Sequence, residues 1–363
     1  MKQGWEYKKW NEVLTIINGK NQSAVEDANG EFPIYGSGGI MGYANNWLCP
    51  EKCVIIGRKG NINKPIFVKT KFWNVDTAFG LNANIEYLIP KFLFYFCLDY
   101  NFERHNKAVT IPSLTKADLL KITIPLPPKS IQLAIVSELD KINELIRLKK
   151  EQLKDFDNLA QSIFYEMFGD PVENEMGWEV KKLGEFGELA RGVSKHRPRN
   201  APELLGGKMP LIQTGDVANS DFYIRKYSST YSDLGVAQSK VWEAGTLCIT
   251  IAATIGKCAI LSFTACFPDS VVGYKPNKDT NTIYMFFIFK NMQKMLEEFA
   301  PGVAQKNINL KILSGLNIPL PPLPLQHLFA QRIEQIEHQK AEVQKAITDL
   351  ETLLASRMQY WFE

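Results

Sequence analysis

The sequence predicts an α+β fold with two similar globular α/β domains, separated by two long helices that form an antiparallel coiled coil. Three observations predict this arrangement: two helical seams, an internal repeat, and short β-like runs ahead of each seam. The repeat further predicts that the two halves are related by an internal pseudo-two-fold axis.

The first seam begins at Ile135 and ends at Met167. Its residues alternate spacings of four and three, which is the a/d pattern of a coiled-coil helix. A matching seam runs from Phe329 to Trp361. The seam positions that we expect to pack in the coiled coil are Ile135, Leu139, Ile142, Ile146, Leu153, Phe156, Ile163, Ile333, Ile336, Val343, Ile347, Leu350 and Leu354.

Each patterned stretch has about 35 to 39 residues, and therefore a length of about 50 to 58 Å at 1.5 Å per residue. An exposed seam of this length favours aggregation, so we expect the two seams to bury each other. A two-fold relation between the repeats makes the helices antiparallel. Two interpretations stay open for the seam lysines Lys149 and Lys340: they fix the register of the coiled coil, or their aliphatic stems cover a thin part of the interface.

Two repeated motifs divide the chain. Gly-Trp-Glu-Tyr-Lys-Lys at residues 4–9 returns as Gly-Trp-Glu-Val-Lys-Lys at 177–182, and Ile-Pro-Leu-Pro-Pro at 124–128 returns at 318–322. Proline fixes φ and donates no N–H, so the second motif ends the globular part of each half. The second half is longer, and we expect its insertion between residues 196 and 231. The predicted segments are 1–124 (globular domain 1), 125–170 (Pro-rich turn and long helix 1), 171–318 (globular domain 2) and 319–363 (Pro-rich turn and long helix 2).

Short apolar runs bounded by turn residues predict the strands of both globular domains. They lie at residues 53–56 and 66–68 in the first domain, and at 246–252 and 258–262 in the second. Aromatic stretches with a more helical pattern follow at 90–100 and 283–299.

The composition bounds the class of protein. A chain of 363 residues with a net charge of +3 neither requires nor excludes a nucleic-acid partner, so any basic footprint must be local. Residues 1–20 lack the apolar region of a signal peptide, and the apolar run at 283–289 is too short to span a bilayer. We therefore expect a cytoplasmic protein with reduced thiols and no membrane contact.

Catalytic and metal-binding motifs are missing from the sequence. There is no Asp/Asn/Ser-Pro-Pro-aromatic tetrapeptide of the amino-methyltransferases and no phosphate-binding P-loop. Cys49 and Cys53 have the spacing of a zinc half-site, but no second pair accompanies them, so a structural role is favoured. The four histidines form no ligand pattern. We expect no metal, no cofactor and no active site on this chain.

Taken together, the motifs resemble those of a known family. They are the Trp-Glu starts at Trp5 and Trp178, the run at 307–310 ahead of the second proline motif, and Gln132 and Gln326 at equivalent places in the helix starts. In these residues and in the order of its segments, the chain resembles the specificity subunit of type I restriction–modification systems.

The resemblance implies a non-catalytic DNA-reading subunit. Each globular segment is then a target recognition domain that reads one half of a bipartite double-stranded DNA target, and the helices are the central and distal spacers. The implied partners are two modification subunits, which methylate adenine at N6 with S-adenosylmethionine, and restriction subunits, which use ATP and Mg. The chain itself binds none of these cofactors.

The chain's own chemistry offers DNA-binding candidates in both halves. Residues 191–199 read Arg-Gly-Val-Ser-Lys-His-Arg-Pro-Arg, a cationic surface loop that we expect to be mobile and to meet phosphates and guanine edges. The alternative is a solvated loop without a partner. Residues 58–64 offer cations and amides on a turn, and asparagine amides can pair with adenine; the alternative is an ordinary hairpin turn. With the positions that the resemblance adds, the candidates are Arg58, Lys59, Asn61, Asn63, Lys64, Arg104, Lys107, Arg191, Lys195, Arg197, Arg199, Gln213, Thr214, Lys257, Gln305 and Lys306.

Two other functions stay open. The chain is alternatively the recognition region of a single-chain restriction–methylation enzyme, or a coiled-coil scaffold that recruits other proteins. Geometry favours a two-headed reader, since half-sites on one face of DNA lie about 34 Å apart and a helical rod of about 50 Å has the right size.

Overall fold

The computed structural model describes residues 4–106, 111–252, 254–298 and 308–363. The chain forms two compact units: unit 1 comprises residues 1–151 and 344–363, and unit 2 comprises residues 152–343. Each unit therefore contains a globular part and half of each long helix. The four segments predicted from the sequence separate the globular domains from the helices, whereas the two units each combine both. The segment boundaries therefore stay predictions.

Unit 1 begins with a mainly β globular part. The elements of unit 1 are β1 (Glu6–Lys9), α1 (Trp10–Val13), β2 (Leu14–Asn18), β3 (Phe32–Gly36), β4 (Gly39–Ala44), β5 (Cys53–Gly57), β6 (Ile66–Val68), β7 (Trp73–Asn74), β8 (Ala78–Ala83), α2 (Pro90–Asp99), a 3₁₀ helix (Phe102–His105), α3 (Lys116–Leu119), β9 (Thr123–Leu126), the first part of α4 (Lys129–Phe168) and the last part of α9 (Leu323–Phe362).

The main sheet of unit 1 has the strand order β2-β8-β5-β6, and its strand β5 is buried on both faces. Side chains alternate across a strand, so Val54 and Ile56 of β5 pack with Phe92 and Phe96 of α2, and Cys53 and Ile55 join a second core on the other face. A three-stranded sheet, β4-β3-β7, covers that second core. The continuous apolar run that predicted β5 thus reflects a strand covered on both sides.

Unit 2 repeats this plan with additions. Its elements are the last part of α4, β10 (Val180–Lys182), a 3₁₀ helix (Leu183–Glu185), β11 (Gly187–Arg191), a 3₁₀ helix (Pro202–Leu204), β12 (Leu205–Leu211), α5 (Thr214–Ala218), β13 (Tyr223–Ile224), β14 (Ser229–Tyr231), α6 (Asp233–Ala237), β15 (Val241–Trp242), β16 (Leu247–Thr250), β17 (Cys258–Leu261), β18 (Ala265–Cys266), β19 (Val271–Pro276), α7 (Thr282–Glu298), α8 (Leu310–Ser314), β20 (Asn317–Pro319) and the first part of α9 (Leu323–Phe362).

The main sheet of unit 2 has the order β11-β19-β16-β17-β13, which matches that of unit 1 strand for strand and adds β13 at one edge. A second sheet, β14-β12-β18-β15, matches β4-β3-β7 with one further strand. The added α5 and β13 lie between residues 214 and 224, inside the region where the sequence predicts an insertion.

The two repeated motifs pair with each other inside each unit. The Trp-Glu motif forms β1 and the proline motif forms β9, with Tyr7 opposite Pro125. In unit 2 the same motifs form β10 and β20, with Lys181 opposite Ile318. Each pair is antiparallel and lies next to the start of a long helix.

A buried glutamine fixes each helix start to its globular part. Gln132 accepts a hydrogen bond from the N–H of Ile89 at 2.8 Å and donates to the carbonyls of Tyr87 and Pro127 at 2.9 Å. Ile89 caps α2, so the contact also sets where α2 begins.

Gln326 repeats this contact in unit 2. Its Oε1 accepts from the N–H of Asn281 at 2.9 Å, and its Nε2 donates to the carbonyls of Asp279 at 3.3 Å and Pro321 at 2.8 Å. Both glutamines are fully buried.

The long helices α4 and α9 each have 40 residues, about 60 Å at 1.5 Å per residue. In unit 1, Lys150 contacts Glu351 at 2.8 Å and Glu138 contacts Arg357. In unit 2, the contacts are Asp157 with Lys340 and Phe164 with Phe329. Partner numbers fall along α9 as they rise along α4, so the helices are antiparallel within each unit. The predicted fold class is confirmed.

The seam positions differ in burial. The buried positions lie in the first half of α4 and between residues 333 and 347 of α9, namely Ile135, Leu139, Ile142, Ile146, Ile333, Ile336, Val343 and Ile347. Leu153, Phe156, Ile163, Leu350 and Leu354 are half-buried. Near the end of α4 the fully buried side chains are Phe164 and Phe168, one residue beyond Ile163 and Met167, because they enter the aromatic core of unit 2.

The seam lysine Lys340 is held by two carboxylates. Its Nζ lies 2.7 Å from Asp157 of α4 and 2.9 Å from Glu337 of its own helix. Burial lowers the pKa of Lys340, but the hydrogen bonds to Asp157 and Glu337 outweigh burial and the net pKa is raised. An ion pair that joins the two helices favours the register interpretation over simple coverage by the stem.

Unit 1 has a different polar contact between its helix segments. Glu138 accepts hydrogen bonds from both Nε and Nη2 of Arg357 and, at 3.0 Å, from Nε1 of Trp361. The Trp361 ring stacks on Trp5 with centroids 6.3 Å apart. The hydrogen bond from Arg357 holds the pKa of the Glu138 carboxyl below its ordinary value of 4.5.

This depressed pKa predicts a loss of stability in acid. A carboxyl with a lower pKa in the folded state stabilises the fold above its unfolded pKa, and the stabilisation disappears as pH falls through the folded pKa. We expect Glu138→Gln to be less stable than the wild type at pH 7, and we expect this gap to close as pH falls from about 4.5 through the lower pKa of Glu138 in the folded protein. Denaturant midpoints measured from pH 7 to pH 3 test this.

Glu351→Gln is the matched control, because it removes an exposed carboxylate from the same helix pair. An exposed ion pair contributes little, so this variant should follow the wild type at every pH. A constant gap between Glu138→Gln and the wild type across the pH range would contradict the assignment.

Candidate nucleic-acid interface

The loop between β5 and β6 carries five of the predicted residues of unit 1, and all five are exposed: Arg58, Lys59, Asn61, Asn63 and Lys64. Its backbone is braced from two sides. The N–H groups of Arg58 and Lys59 donate to the carbonyl of Thr77 at 2.8 and 3.2 Å, and the N–H of Gly60 donates to the carbonyl of Pro112 at 3.1 Å. The backbone groups are thus satisfied within the unit while the side chains face solvent.

Two glycines allow this loop to turn tightly. Gly60 has φ of +76°, in the left-handed region that favours glycine. A Cβ on Gly57 would lie 2.4 Å from the carbonyl oxygen of Asn61, so a side chain does not fit there. The Gly-Arg-Lys-Gly sequence therefore presents its two cations on a closed turn.

The structure gives Asn63 an internal role. Its Oδ1 accepts a hydrogen bond from the N–H of Phe102 at 2.8 Å, and its Nδ2 donates to Asn101 at 3.4 Å. This contact brings the 3₁₀ helix with the exposed Arg104 against the loop. Asn63 therefore braces the cluster, while Asn61 is exposed and its role as a base-reading amide stays a prediction.

In unit 2 the loop after β11 is held, although the sequence predicts a mobile loop. Arg191 Nε donates to the carbonyl of Asp269 at 2.8 Å. The Asp269 carboxylate lies 2.6 Å from Arg199 and 3.8 Å from Arg197. Three arginines of the loop thus converge on one aspartate.

A second residue holds the middle of the same loop. Gln238 Oε1 accepts hydrogen bonds from the N–H groups of Lys195 and His196 at 2.6 and 3.0 Å. Neither Gln238 nor Asp269 was predicted from the sequence. A search for cations and amides does not select an aspartate, but Asp269 begins a motif that repeats residues 76–80 of the first half, and that repetition was a usable signal.

Three predicted residues of unit 2 meet at one cavity of about 280 Å³: Arg199, Gln213 and Thr214. Asn200 and Ser270 add polar groups to its wall, and Leu205, Leu211, Tyr231 and Pro268 supply an apolar surface. Gln213 is fixed here because it caps α5 and donates to Ser229 at 3.2 Å.

Lys257 lies apart from that cavity. It is exposed in the loop between β16 and β17, which corresponds to the β5–β6 loop of unit 1, and lines another cavity of about 240 Å³ with Asp157 and Lys290. The predicted Lys107, Gln305 and Lys306 lie outside the described residues.

These clusters have the chemistry of a nucleic-acid surface. Exposed lysines and arginines neutralise phosphates. Guanidinium and amide groups present the donor and acceptor pairs that read base edges in the major groove. Unit 1 offers four exposed cations and the exposed amide of Asn61, and unit 2 offers the guanidinium group of Arg199 in one cavity with Gln213 and Thr214.

The two cysteines with half-site spacing are buried in unit 1. Cys49 Sγ donates to Asn74 Oδ1 at 3.0 Å, and burial raises the pKa of Cys53 to about 12. Metal binding needs the thiolate, so burial disfavours it here. Across the described residues, no group of three or more His, Cys, Asp or Glu side chains is arranged to hold a metal ion. None of the helices in the described part of the chain has the length and apolar character to cross a membrane.

Comparison with known families gives two matches, one in each half. Residues 2–155 and 175–352 match the type I restriction modification DNA specificity domain. Similar curated proteins include a putative type I restriction enzyme specificity subunit of Haemophilus influenzae, 25% identical over 92% of this chain and 87% of that protein. Another is the EcoDI specificity subunit of Escherichia coli, 19% identical over 95% of this chain and 84% of that protein.

Solved structures show the same fold. The S subunit of a type I restriction–modification system from M. genitalium aligns with a TM-score of 0.64 and 15% identity over 100% of this chain and 98% of that one. A chain from a structure on complex assembly and conformational transition of the type I R-M system aligns with a TM-score of 0.65 and 18% identity, over 99% and 97%. Because the family model matches most of the sequence, once in each repeat, the chain belongs to the type I restriction–modification DNA specificity family.

Proposed function

We propose that this chain is the DNA sequence-recognition subunit of a type I restriction–modification complex. Domains 1–124 and 171–318 each read one half of a bipartite double-stranded target, and the helices of 125–170 and 319–363 set the spacer and dock the methyltransferase subunits. The observation that carries the proposal is the double match to a DNA specificity domain, each copy on a unit with an exposed cationic cluster.

The partners follow from the same family membership. Two modification subunits would bring S-adenosylmethionine and methylate adenine at N6, and restriction subunits would bring ATP and Mg. One structural neighbour comes from a structure on complex assembly of the type I R-M system, and the similar curated proteins are named specificity subunits. The complex would act on DNA in the cytoplasm.

The contacts divide between phosphates and bases. In unit 1 the exposed Arg58, Lys59, Lys64 and Arg104 suit phosphates, which position a protein on the duplex without reading sequence. Asn61 stands among them with an amide that suits adenine. In unit 2 Arg199, Gln213 and Thr214 share one cavity wall, which suits direct reading of base edges.

Methylome sequencing tests this function. A host that carries this gene with its modification and restriction genes should show a split motif with one methylated adenine on each strand. The control is the same host with this gene deleted, where the mark should disappear. A continuous motif, or a mark that survives the deletion, would refute the proposal.

A further inference from the structure

We propose that Asp269 is the positioning residue of the second recognition domain: it holds Arg197 and Arg199 in the geometry that unit 2 uses to discriminate bases. This inference rests on the proposed function. The loop of 191–199 has several rotatable cationic side chains, and Asp269 contacts three of them through two different groups. Its carbonyl anchors Arg191 and its carboxylate engages the other two.

In unit 1 the equivalent aspartate also accepts a hydrogen bond from an arginine through its carbonyl, without the carboxylate contact. Asp76 and Asp269 begin equivalent motifs ahead of β8 and β19. In both units the aspartate carbonyl accepts a hydrogen bond from an arginine, Arg58 Nη1 at 3.5 Å or Arg191 Nε at 2.8 Å. Arg58 follows β5, whereas Arg191 ends β11, the counterpart of β2, so the two units use arginines from different strands. Among the described residues, the contact of the carboxylate with arginine occurs in the second domain and not at Asp76.

The ion pair is too exposed to act mainly through stability. Arg199 is 45% exposed and Asp269 is 34% exposed, and such surface pairs contribute little to folding. Its value lies in preorganisation. A guanidinium carries five N–H donors in a rigid fork, so Arg199 can give one side to Asp269 and keep donors for a base.

The position of Arg199 agrees with this role. Arg199 lines the cavity shared with Gln213 and Thr214, and Pro268 and Ser270 on either side of Asp269 line the same cavity. Asp269 thus fixes the arginine beside the two other residues that are suited to read a base edge. Fixing a flexible side chain before binding lowers the ordering cost of binding.

The carboxylate also has an opposing effect that makes the role testable. A negative charge beside phosphates weakens sequence-independent binding. Removing it should therefore leave affinity for non-specific duplex equal or higher while discrimination falls. A variant that merely damages the fold lowers both.

The experiment uses the chain co-purified with its modification subunits and four duplexes. These carry the full motif, a mismatch in one half, a mismatch in the other half, or no motif. Asp269→Asn should lower discrimination in one half of the motif by about tenfold, keep it in the other half, and leave non-specific affinity no weaker. Asp269→Glu should restore most of the discrimination, because the charge returns.

Two further variants separate positioning from charge removal. Asp76→Asn removes the equivalent carboxylate of unit 1 and should leave discrimination in both halves unchanged. Arg199→Lys keeps the charge but loses the fork, and should lower discrimination in the same half as Asp269→Asn. The double variant should be no worse than Arg199→Lys alone, because the aspartate acts through the arginine.

The inference would be overturned if Asp269→Asn discriminated as well as the wild type in both halves of the motif, or if it lost discrimination equally in both. It would also be overturned if the losses of discrimination from Asp269→Asn and Arg199→Lys were fully additive in the double variant. If Asp269→Asn fails to assemble, Arg199→Lys decides, since unchanged discrimination there would show that the arginine in the shared cavity does not read a base, and this would overturn the inference. A wild-type complex that discriminates neither half would instead refute the proposed function.

Discussion

Inserting one heptad into each long helix should lengthen the gap between the two halves of the DNA target, by at most about three base pairs. Seven residues add about 10.5 Å to a helix, and base pairs are spaced 3.4 Å apart along the duplex. The insertions belong after residue 151 in α4 and after residue 343 in α9, because each unit then keeps its own helix segments intact. Methylome sequencing of the host reads the new gap directly.

The same insertion in α4 alone is the control. Unequal helices cannot keep both Lys340 with Asp157 and Lys150 with Glu351 in place while their seams stay aligned. We expect that variant to lose methylation rather than to shift its target. A double insertion that methylates with the original gap would show that the helices do not set the spacing.

Replacing Gln326 by methionine should lower the stability of unit 2 by about 2 to 5 kcal/mol. Methionine matches glutamine in length but leaves the N–H of Asn281 and the carbonyls of Asp279 and Pro321 without their partner. Each buried polar group left unpaired costs about 1 to 3 kcal/mol. Asp279 is exposed, so its carbonyl can bond water instead, and the loss comes mainly from the N–H of Asn281 and the carbonyl of Pro321. The expected drop in the melting temperature of unit 2 is about 5 to 15 °C, measurable by calorimetry of the full chain.

Gln335→Met is the matched control, since Gln335 is exposed on the same helix in the same unit. It should melt within about a degree or two of the wild type, as surface substitutions usually do. Equal stability of Gln326→Met and Gln335→Met would show that the buried contact contributes nothing. The corresponding Gln132→Met should act on unit 1 in the same way.

The sequence predicted the elements with strong local signals. The apolar runs at 53–56 and 66–68 form β5 and β6, and the aromatic stretches form α2 and α7. Their partners in the sheet were not predictable, because β2 pairs with β8 across more than 60 residues and the pattern of one strand does not name its neighbour. The repeat did better, since it implied one plan for both halves before any strand order was known.

The seam shows where periodicity stops being informative. Ile135 and Leu139 follow the heptad and are fully buried. Toward the end of α4 the helix packs against Tyr284 and Phe329 of its own unit, so Phe164 is buried in place of Ile163. A heptad pattern predicts which residues face a partner helix. It does not predict where the helix stops packing on that partner and starts packing on a globular core.

The sequence predicted which cationic residues belong to the candidate interface, but it did not predict the contacts that position them. Arg58 and Arg199 stand out in sequence because charge combined with turn residues indicates an exposed loop. Asn63 was read as a base contact, yet its amide is used on Phe102 and Asn101. Such internal uses depend on neighbours that are distant in the chain, which no local pattern contains.

The buried glutamines have a consequence for how this chain can evolve. Each one holds main-chain atoms alone, and the residues at the contacted positions differ between the halves: Tyr87 and Ile89 in one, Asp279 and Asn281 in the other. The attachment of a recognition domain to its helix therefore does not depend on which side chains occupy the contacted positions. During evolution, substitutions in either domain can change the bases that it recognises, while the hydrogen bonds that attach the domain to its helix are retained.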